Sequence, residues 1–203
     1  DRFATLGLAG DARVLHDDAA IPADLRFPVA LKILSPDLAH KTEAGGVALN
    51  IPDAAALAAE MAAMRDRVHH HAPNATLTGF LVQPMAKGLG EAILGFRRDP
   101  EVGPVVLLGT GGIAAELFRD VTLAIAPVTE SEARAMIGRV KGLQLLAGWR
   151  GQARGDLEAL VHAIVAVSHL AAREEMTEAE INPLIILPEG QGVVVADAWV
   201  VRT

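Results

Sequence analysis

The chain has 203 residues, of which 51% are hydrophobic and 21% are charged, a composition typical of a globular protein rather than a disordered one. Its formal charge of −7 argues against a nucleic-acid partner, because proteins that bind the phosphate backbone usually present a basic face. Without cysteine it has no disulfides or thiolate zinc sites, and no apolar run approaches the ~20 residues of a membrane span. We therefore expect a soluble, cytoplasmic protein with no nucleic-acid and no membrane partner.

The first predicted elements, in chain order, are an irregular entry, two strands and a helix. Residues 3–24 have weak periodicity, which is typical of a partial helix or an irregular segment. Apolar, β-prone runs at 27–34 and 46–51 predict two strands. Asp53 is in position to cap a helix that follows it. The apolar residues of this predicted helix recur at helical spacing, at Leu57, Met61, Met64 and Val68.

The rest of the chain predicts a second cluster of strands with two helices among them. Thr129 and Glu132 have the spacing of a capping box, which predicts a helix to about Val140. A longer amphipathic helix follows, with Leu157, Leu160, Val161, Ile164 and Val167 on one side. The predicted strands are 77–85, 90–96, 103–109, 121–128, 180–187 and 192–200. This pattern predicts an α+β (mixed α/β) fold of two lobes, 1–76, truncated at its start, and 77–203.

Three groups of residues have the composition of a functional site. The first, "LKILSPDLAHKTEAGGVALNI", has one lysine on a predicted strand, and a second lysine and a Gly-Gly pair in the connection to the next strand. An ammonium group on a strand, followed by a glycine loop that lets backbone N–H groups approach an anion, can form a phosphate site. The alternatives are that Lys32 is an edge residue with its amine in solvent and that Gly45-Gly46 is a plain hairpin turn. His40 could be a loop histidine without chemistry.

The second group is "LLGTGGIAAELFRD". Gly109, Gly111 and Gly112 would allow a ligand or another part of the backbone to come close. The alternative is a bulge or tight turn between strands. Glu116, Arg119 and Asp120 follow, and solvated side chains would explain all three.

The third group lies on the two predicted C-terminal strands. If residues 188–191 form a four-residue hairpin loop, antiparallel register sets Asn182 opposite Asp197. Side-chain alternation puts Glu180 on the same face. Apolar residues surround the three, so we expect their oxygens to converge inside a hydrophobic hairpin, where a bound Mg²⁺ would compensate the carboxylates. The alternative is a set of polar residues at a solvent-facing edge.

Six stretches in a fixed order carry a family resemblance: "FPVALKILSPDLAHKTEAGGVAL", "GFLVQPM", "GEAILGFRRDPEVGPVVLLGTGGIAAELFRDV", "IAPVTESEARAMI", "GWRG" and "EINPL…VADA". Together they resemble the ATP-grasp domain of NDP-forming acyl-CoA synthetases, the ADP-forming acetate–CoA ligase group related to succinyl-CoA synthetase. The resemblance covers about residues 27–200. It implies an ATP-grasp fold, in which two lobes clasp the nucleotide.

The resemblance also implies roles by position. Nucleotide contacts are implied at Lys32, Lys41, Gly45, Gly46, Gln83, Met85 and Glu91, magnesium ligands at Asn182 and Asp197, and catalytic roles at His40 and Glu180. The two lysines correspond to phosphate contacts, and the Gly pair to a loop that closes over the triphosphate. Residues 83–85 correspond to a hinge that binds adenine through its backbone. Glu116 and Arg150 match family motifs without a definite role.

The implied activity is phosphoryl transfer between ATP or ADP and a phosphohistidine relay, in the reaction of an acid, CoA and ATP to acyl-CoA, ADP and phosphate. The implied cofactors are Mg²⁺ and ATP/ADP. The implied partners are CoA-binding and phosphohistidine-bearing domains or a subunit of the same synthetase, so this chain alone is expected to bind nucleotide without completing the reaction. Pro84 departs from the family, since many relatives carry Glu there. An alternative function is nucleotide sensing in an acyl-CoA synthetase-like lysine acetyltransferase.

Overall fold

The computed structural model describes residues 11–16, 19–38, 41, 43–111 and 120–203. By its internal contacts the chain divides into two compact units, which separate between Met85 and Ala86. Four residues singled out from the sequence lie outside the described residues: His40, Gly112, Glu116 and Arg119. None of the helices in the described ranges combines the length and the apolar character that crossing a bilayer requires.

The first unit is an antiparallel sheet with one helix. Its strands are β1 (Arg13–Leu15), β2 (Val29–Leu34), β3 (Val47–Ile51) and β4 (Gly79–Pro84), and helix α1 spans Ala54–His71. The sheet order is β1-β4-β2-β3, so β2 and β4 are the central strands. As the sequence predicts, Asp53 caps α1 by accepting the N–H of Ala56 at 2.8 Å. The apolar side of α1 is buried in the same core as the alternate residues of β2.

The second unit is a larger antiparallel sheet with helices on one face. Its strands are β5 (Gly90–Asp99), β6 (Gly103–Thr110), β7 (Val121–Ile125), β8 (Met176–Ile186), β9 (Val193–Val195) and β10 (Ala198–Arg202). The helices are α2 (Glu130–Arg139), α3 (Lys141–Gln144) and α4 (Leu157–Ser168). The strand order is β10-β8-β5-β6-β7, with β9 paired to the far end of β8. Residues of α2 and α4 share one core with alternate residues of these strands.

The predicted capping box is confirmed at the start of α2. The N–H of Thr129 donates to the Glu132 carboxylate at 2.7 Å, and the N–H of Glu132 donates back to the Thr129 hydroxyl at 3.3 Å. The helix ends at Arg139, as the sequence indicates. The α+β prediction is therefore confirmed down to individual helix ends.

Three elements differ from the sequence-based predictions. Residues 13–15 form strand β1 where a partial helix or irregular segment was expected, because they pair with β4. Strand β4, which we expected to open the second lobe, is hydrogen-bonded between β1 and β2 and belongs to the first unit. The predicted last strand, 192–200, is two strands, β9 and β10. The first two depend on pairing between strands that are distant in the sequence, and the third on how residues 193–202 pair with β8.

Candidate functional site

Lys32 is buried in the middle of a central strand. It lies between Val47 of β3 and Leu81 of β4, and its side chain is only 7% exposed. Its neighbours Leu31 and Ile33 point to the other face, into the core with α1. The alternative of an edge lysine with its amine in solvent is therefore wrong. Burying an ammonium group costs several kcal/mol unless it is compensated, and a phosphate-binding role for this charge remains a prediction.

The loop between β2 and β3 is fixed at Gly46. The Gly46 N–H donates to the carbonyl of Lys41 at 2.7 Å, and its carbonyl accepts the N–H of Ile33 at 2.8 Å. A Cβ at Gly46 would lie 2.5 Å from Ile33 Cγ2 and 3.0 Å from the Lys41 carbonyl oxygen. Only glycine fits here without displacing the backbone of Lys41. The connection spans residues 35–46, which is too long for a plain hairpin turn.

Further contacts hold both ends of this loop. Gly45 has a φ of +69°, and its carbonyl accepts a hydrogen bond from Arg67 of α1 at 3.2 Å. Arg67 is held in turn by Glu60 at 2.6 Å. Near the other end, the N–H of Thr76 donates to Asp37 at 2.7 Å and holds the pKa of that carboxyl below its usual value. Lys41, which is half-buried, lies between these contacts at Asp37 and Gly45.

The end of β4 is the segment implied to contact adenine. Gln83 is buried and lies opposite Ala30 of β2. The N–H of Met85 donates to the carbonyl of Pro28 at 2.8 Å, so this amide already has a partner within the first unit. Pro84 has no N–H to offer. A backbone contact from Met85 to a base would therefore use its carbonyl oxygen, which is the acceptor that an exocyclic amino group requires.

Glu91, at the start of β5, lines a cavity of about 760 Å³ in the second unit. The Glu91 carbonyl accepts the N–H of Gly111 at 2.7 Å, and a Cβ at Gly111 would lie 2.9 Å from the Glu91 carbonyl carbon. Gly111 thus permits a close approach of two backbone segments, which is one of the interpretations that the sequence offered for the glycine cluster. The cavity has the size of a small-molecule site.

Asp120, on the same cavity, has a structural role rather than a solvated side chain. Its carboxylate accepts the N–H of Lys141 at 3.0 Å and of Gly142 at 2.7 Å. The two bonds tie the start of β7 to the short helix α3. A Cβ at Gly142 would lie 2.1 Å from Thr110 Cγ2, so glycine is required there as well.

The predicted register of the C-terminal strands is confirmed. The N–H of Leu187 donates to Gly192 at 3.1 Å across the 188–191 loop. The register continues along β8 until the N–H of Asn182 donates to the carbonyl of Asp197 at 2.9 Å. The Asn182 amide also donates to the Glu180 carboxylate at 3.3 Å. The three polar side chains therefore belong to one face of the sheet, opposite the buried Ile181.

The expected enclosure of these three groups by hydrophobic residues is wrong. Asn182 and Asp197 are exposed, and Glu180 is half-buried. The reason is that their face of the sheet is the one without α2 and α4. Because these side chains are not enclosed, the argument that a cation must compensate buried carboxylates does not apply here. Among the described residues, no three His, Cys, Asp or Glu side chains form a metal cage of their own. Two protein oxygens suit Mg²⁺, which keeps waters and takes further ligands from phosphates.

Sequence reasoning missed Asp156, a buried carboxylate beside the same hairpin. It accepts the N–H of Ala159 at 3.0 Å, capping α4, and the N–H of Gly192 at 2.8 Å in the 188–191 turn region. Burial raises the pKa of Asp156, but the N–H donors of Ala159, Gly192 and Gly190 outweigh it and hold the pKa below its usual value. An Asp one residue before an apolar periodic run is a helix-start signal that could have identified it.

Comparisons with known proteins identify the family of the chain. A family profile described as an ATP-grasp domain matches residues 11–201. The beta subunit of ADP-forming acetate–CoA ligase II from Pyrococcus furiosus is 35% identical over 192 residues, which are 94% of this chain and 81% of that subunit. The chain belongs to the ATP-grasp domains of the ADP-forming acetate–CoA ligase family.

Other relatives of this ATP-grasp domain are longer. ADP-forming acetate–CoA ligase I from Archaeoglobus fulgidus is 36% identical over 186 residues, and the chain spans only 27% of its length. Among solved structures, the dinucleotide-forming acetyl-coenzyme A synthetase 1 of Ca. Korarchaeum cryptofilum, in complex with coenzyme A and Ca-AMPCP, has a TM-score of 0.90 at 34% identity. That match covers 100% of this chain and 90% of the other. The ATP-grasp fold predicted from the sequence is thereby confirmed.

A second structure of the same synthetase contains Mg-AMPPCP and is described as having its phosphohistidine segment pointing towards the nucleotide-binding site. It has a TM-score of 0.82 at 33% identity and covers 98% of this chain and 88% of the other. In our ATP-grasp domain, the roles of the individual site residues remain predictions. Arg150 lies in a turn at Trp149–Gly151 with a φ of 53°, and the structure gives it no definite role.

Proposed function

We propose that this chain is the nucleotide-binding domain or subunit of an ADP-forming acyl-CoA synthetase. It exchanges a phosphoryl group between ATP or ADP and a phosphohistidine. The observation that carries the proposal is the pairing of Asn182 with Asp197 beside Glu180, because it brings two oxygen ligands and one further carboxylate to one face of the sheet. The complexes of the Korarchaeum synthetase with Mg-AMPPCP and with coenzyme A support it.

The phosphates are bound by Lys32 and Lys41. Two ammonium groups offset the charge of the di- or triphosphate, and positioning supplies most of the catalysis in phosphoryl transfer. Lys32 is set by the strand that buries it, and Lys41 by the anchored loop with Gly45 and Gly46. The Gly46 N–H is engaged by the Lys41 carbonyl, so Gly46 holds the loop in place rather than contacting the phosphates itself. His40, which the family resemblance implies as a phosphoryl carrier, belongs to the same loop.

Asn182 and Asp197 are the residues that would hold Mg²⁺. Their carboxylate and amide oxygens are hard ligands of the type this cation prefers, and they leave positions for water and phosphate oxygens. When bound, the cation neutralises charge on the phosphates. The Ala198 N–H donates to Asp197 at 3.1 Å and orients the carboxylate. The family resemblance assigns nucleotide contacts to residues 83–85 and to Glu91.

In the direction of ATP synthesis, the phosphoryl group moves from the histidine ring to ADP. The P–N bond of the phosphohistidine breaks with its electron pair staying on the ring, while a β-phosphate oxygen of ADP forms the new P–O bond. The ring leaves as neutral imidazole if its other nitrogen carries a proton. Glu180 would accept that N–H and so hold the ring in the required tautomer. The reverse direction phosphorylates the histidine from ATP.

The remainder of the reaction belongs to partner domains or a partner subunit. The chain spans 81% of the Pyrococcus beta subunit but only 27% of the single-chain Archaeoglobus ligase. We assign the CoA site, the acid site and the relay histidine to the portions outside this ATP-grasp domain. The chain alone would therefore bind nucleotide without making acyl-CoA.

Calorimetry and thermal unfolding of the intact protein test this proposal. With Mg·ATP or Mg·ADP at ~100 times its dissociation constant, the free energy of unfolding should rise by about 2.7 kcal/mol. Heat of binding and a raised melting temperature with either nucleotide are expected. A folded sample that shows neither with both nucleotides contradicts the proposal.

A further inference from the structure

A single peptide group connects helix α1 to the backbone of Lys41. The Gly45 carbonyl accepts a hydrogen bond from Arg67 of α1 at 3.2 Å, and the Gly46 N–H donates to the Lys41 carbonyl at 2.7 Å. This carbonyl and this N–H belong to the same peptide unit, in which they point in opposite directions. Arg67 therefore binds one side of the unit, and the other side faces Lys41.

The conformation of this peptide unit depends on glycine at both of its ends. Gly45 has a φ of +69°, which residues with a Cβ rarely adopt. A Cβ at Gly46 would lie 3.0 Å from the Lys41 carbonyl oxygen, so it would displace the bond to Lys41. Two glycines also leave the unit free to rotate, because neither has a Cβ that restricts φ and ψ. The glycines therefore allow this conformation but do not hold it.

Arg67 supplies a contact that holds the unit in place. Its guanidinium donates both to the Gly45 carbonyl and to the Glu60 carboxylate, the latter at 2.6 Å. Glu60 and Arg67 are seven residues apart, which is about two helical turns, so they lie on one face of α1. Met64 and Val68, on the apolar side of α1, are fully buried and fix the helix on the sheet. Arg67 therefore reaches the loop from a helix whose own position is set by the core.

We propose that Arg67 is a positioning residue for Lys41, a proposal that rests on the proposed function. A charged donor on the Gly45 carbonyl polarises the peptide unit and strengthens the hydrogen bond that its N–H donates to Lys41. Gly46 is bonded in turn to Ile33 of β2 at 2.8 Å, so the Lys41 backbone is tied to the sheet. The Lys41 ammonium group then meets the phosphates of a nucleoside di- or triphosphate from a fixed backbone.

The charge of Arg67 serves the loop rather than the phosphates. Glu60 neutralises it at 2.6 Å, and its other bond is to a backbone carbonyl, an acceptor that no phosphate oxygen can replace without releasing the loop. A direct phosphate contact by Arg67 and an effect through Lys41 therefore predict different results, which two measurements separate.

The first measurement follows the peptide unit itself, by amide hydrogen exchange in the intact protein without nucleotide. In Arg67→Met the Gly46 amide should exchange about tenfold or more faster than in the wild type, because its bond to Lys41 opens more often. The Thr78 amide, which donates to the Leu34 carbonyl at 2.8 Å in the same unit, is the internal control. Its exchange should change by less than about twofold. Unchanged exchange at Gly46 overturns the proposal.

The second measurement is a double-mutant cycle on the dissociation constant of Mg·ATP, determined by calorimetry. Arg67→Met should raise this constant about fivefold or more when Lys41 is present, and less than about twofold in the Lys41→Met background, since the effect passes through Lys41. Arg67→Lys keeps a charged donor but not the fork that contacts two acceptors, so its affinity should lie between those of the wild type and Arg67→Met.

Arg134→Met is the matched control. The side chain of Arg134 is 46% exposed against 44% for Arg67, and it also lies 2.6 Å from a glutamate, Glu158. This variant should bind Mg·ATP within about twofold of the wild type.

Wild-type affinity in Arg67→Met overturns the proposal. An equal loss of affinity in both backgrounds also overturns it, because Arg67 would then act independently of Lys41. Tighter binding in Glu60→Gln has the same consequence, since it would show that a released Arg67 contacts the phosphates. If the wild type does not bind Mg·ATP, the proposed function itself fails, and Gly46 exchange that still depends on Arg67 distinguishes this result from the others.

Discussion

The backbone N–H of Asn182 donates to the carbonyl oxygen of Asp197 at 2.9 Å, which joins two residues that are 15 positions apart at one point of the sheet. The bond continues the register that the 188–191 loop begins. The two side chains therefore share a face with Glu180, whose carboxylate accepts the Asn182 amide. Removing any one of these oxygens should alter a specific step rather than the fold.

Replacing Asp197 tests the proposed metal ligand. Asp197→Asn keeps an acceptor for the Ala198 N–H but removes the negative charge. We expect the affinity for Mg·ATP to fall about tenfold or more and that for metal-free ATP to change by less than about twofold, both by calorimetry. Because the side chain is exposed, the free energy of unfolding should change by less than about 0.5 kcal/mol. Glu178→Gln, on the same face of β8, is the control, and equal losses with and without Mg²⁺ would exclude a metal role for Asp197.

Replacing Lys32 tests the buried charge. Lys32→Met keeps the length of the side chain and removes the ammonium group. We expect the dissociation constants of both Mg·ATP and metal-free ATP to rise by about tenfold or more, since the lost interaction is with phosphate. Lys87→Met, at an exposed position, is the control and should bind normally. A folded Lys32→Met protein with wild-type affinity would show that the ammonium group of Lys32 does not contribute to nucleotide binding.

Replacing Gly46 tests how the phosphate loop is held. In Gly46→Ala the new methyl would press on Ile33 Cγ2 and the Lys41 carbonyl, so the loop backbone must move. We expect a loss of about 1–3 kcal/mol of stability, as for overpacked sites, together with weaker nucleotide binding. In the double variant with Ile33→Leu, which removes the Cγ2 branch, part of both losses should be recovered. Normal stability and binding in Gly46→Ala would contradict this steric account.

Replacing Asp156 tests how the stabilisation by its carboxylate depends on pH. Asp156→Ala removes an acceptor for two backbone N–H groups and should cost about 1–3 kcal/mol in urea unfolding at neutral pH. The pKa of this carboxyl is lowered in the folded chain, so its stabilising effect is complete above the unfolded value of ~3.9 and is lost as pH falls through the folded value. The difference between wild type and variant should therefore shrink in acid. A difference that grows below pH ~4 would contradict the direction of the pKa shift.

The parts that could be predicted from the sequence are those set by local geometry. The register of Asn182 with Asp197 follows from the length of one turn, and the caps at Asp53 and Thr129 follow from spacing within four residues. The burial of Lys32 could not be predicted, because it depends on β4, a strand some fifty residues later, lying beside β2. The exposure of the acidic face likewise depends on which face of the sheet the helices cover.

Isotope exchange between ADP and ATP in the complete synthetase, without acid, CoA or inorganic phosphate, tests the central claim most directly. A phosphohistidine intermediate requires that labelled ADP become ATP under these conditions, because the first half-reaction is complete by itself. We predict exchange in the wild type, about tenfold or more slower exchange in Asp197→Asn and Lys32→Met, and normal exchange in Lys87→Met. Exchange that is absent from a wild-type enzyme that binds Mg·ATP, or that appears only when acid and CoA are added, would contradict the account.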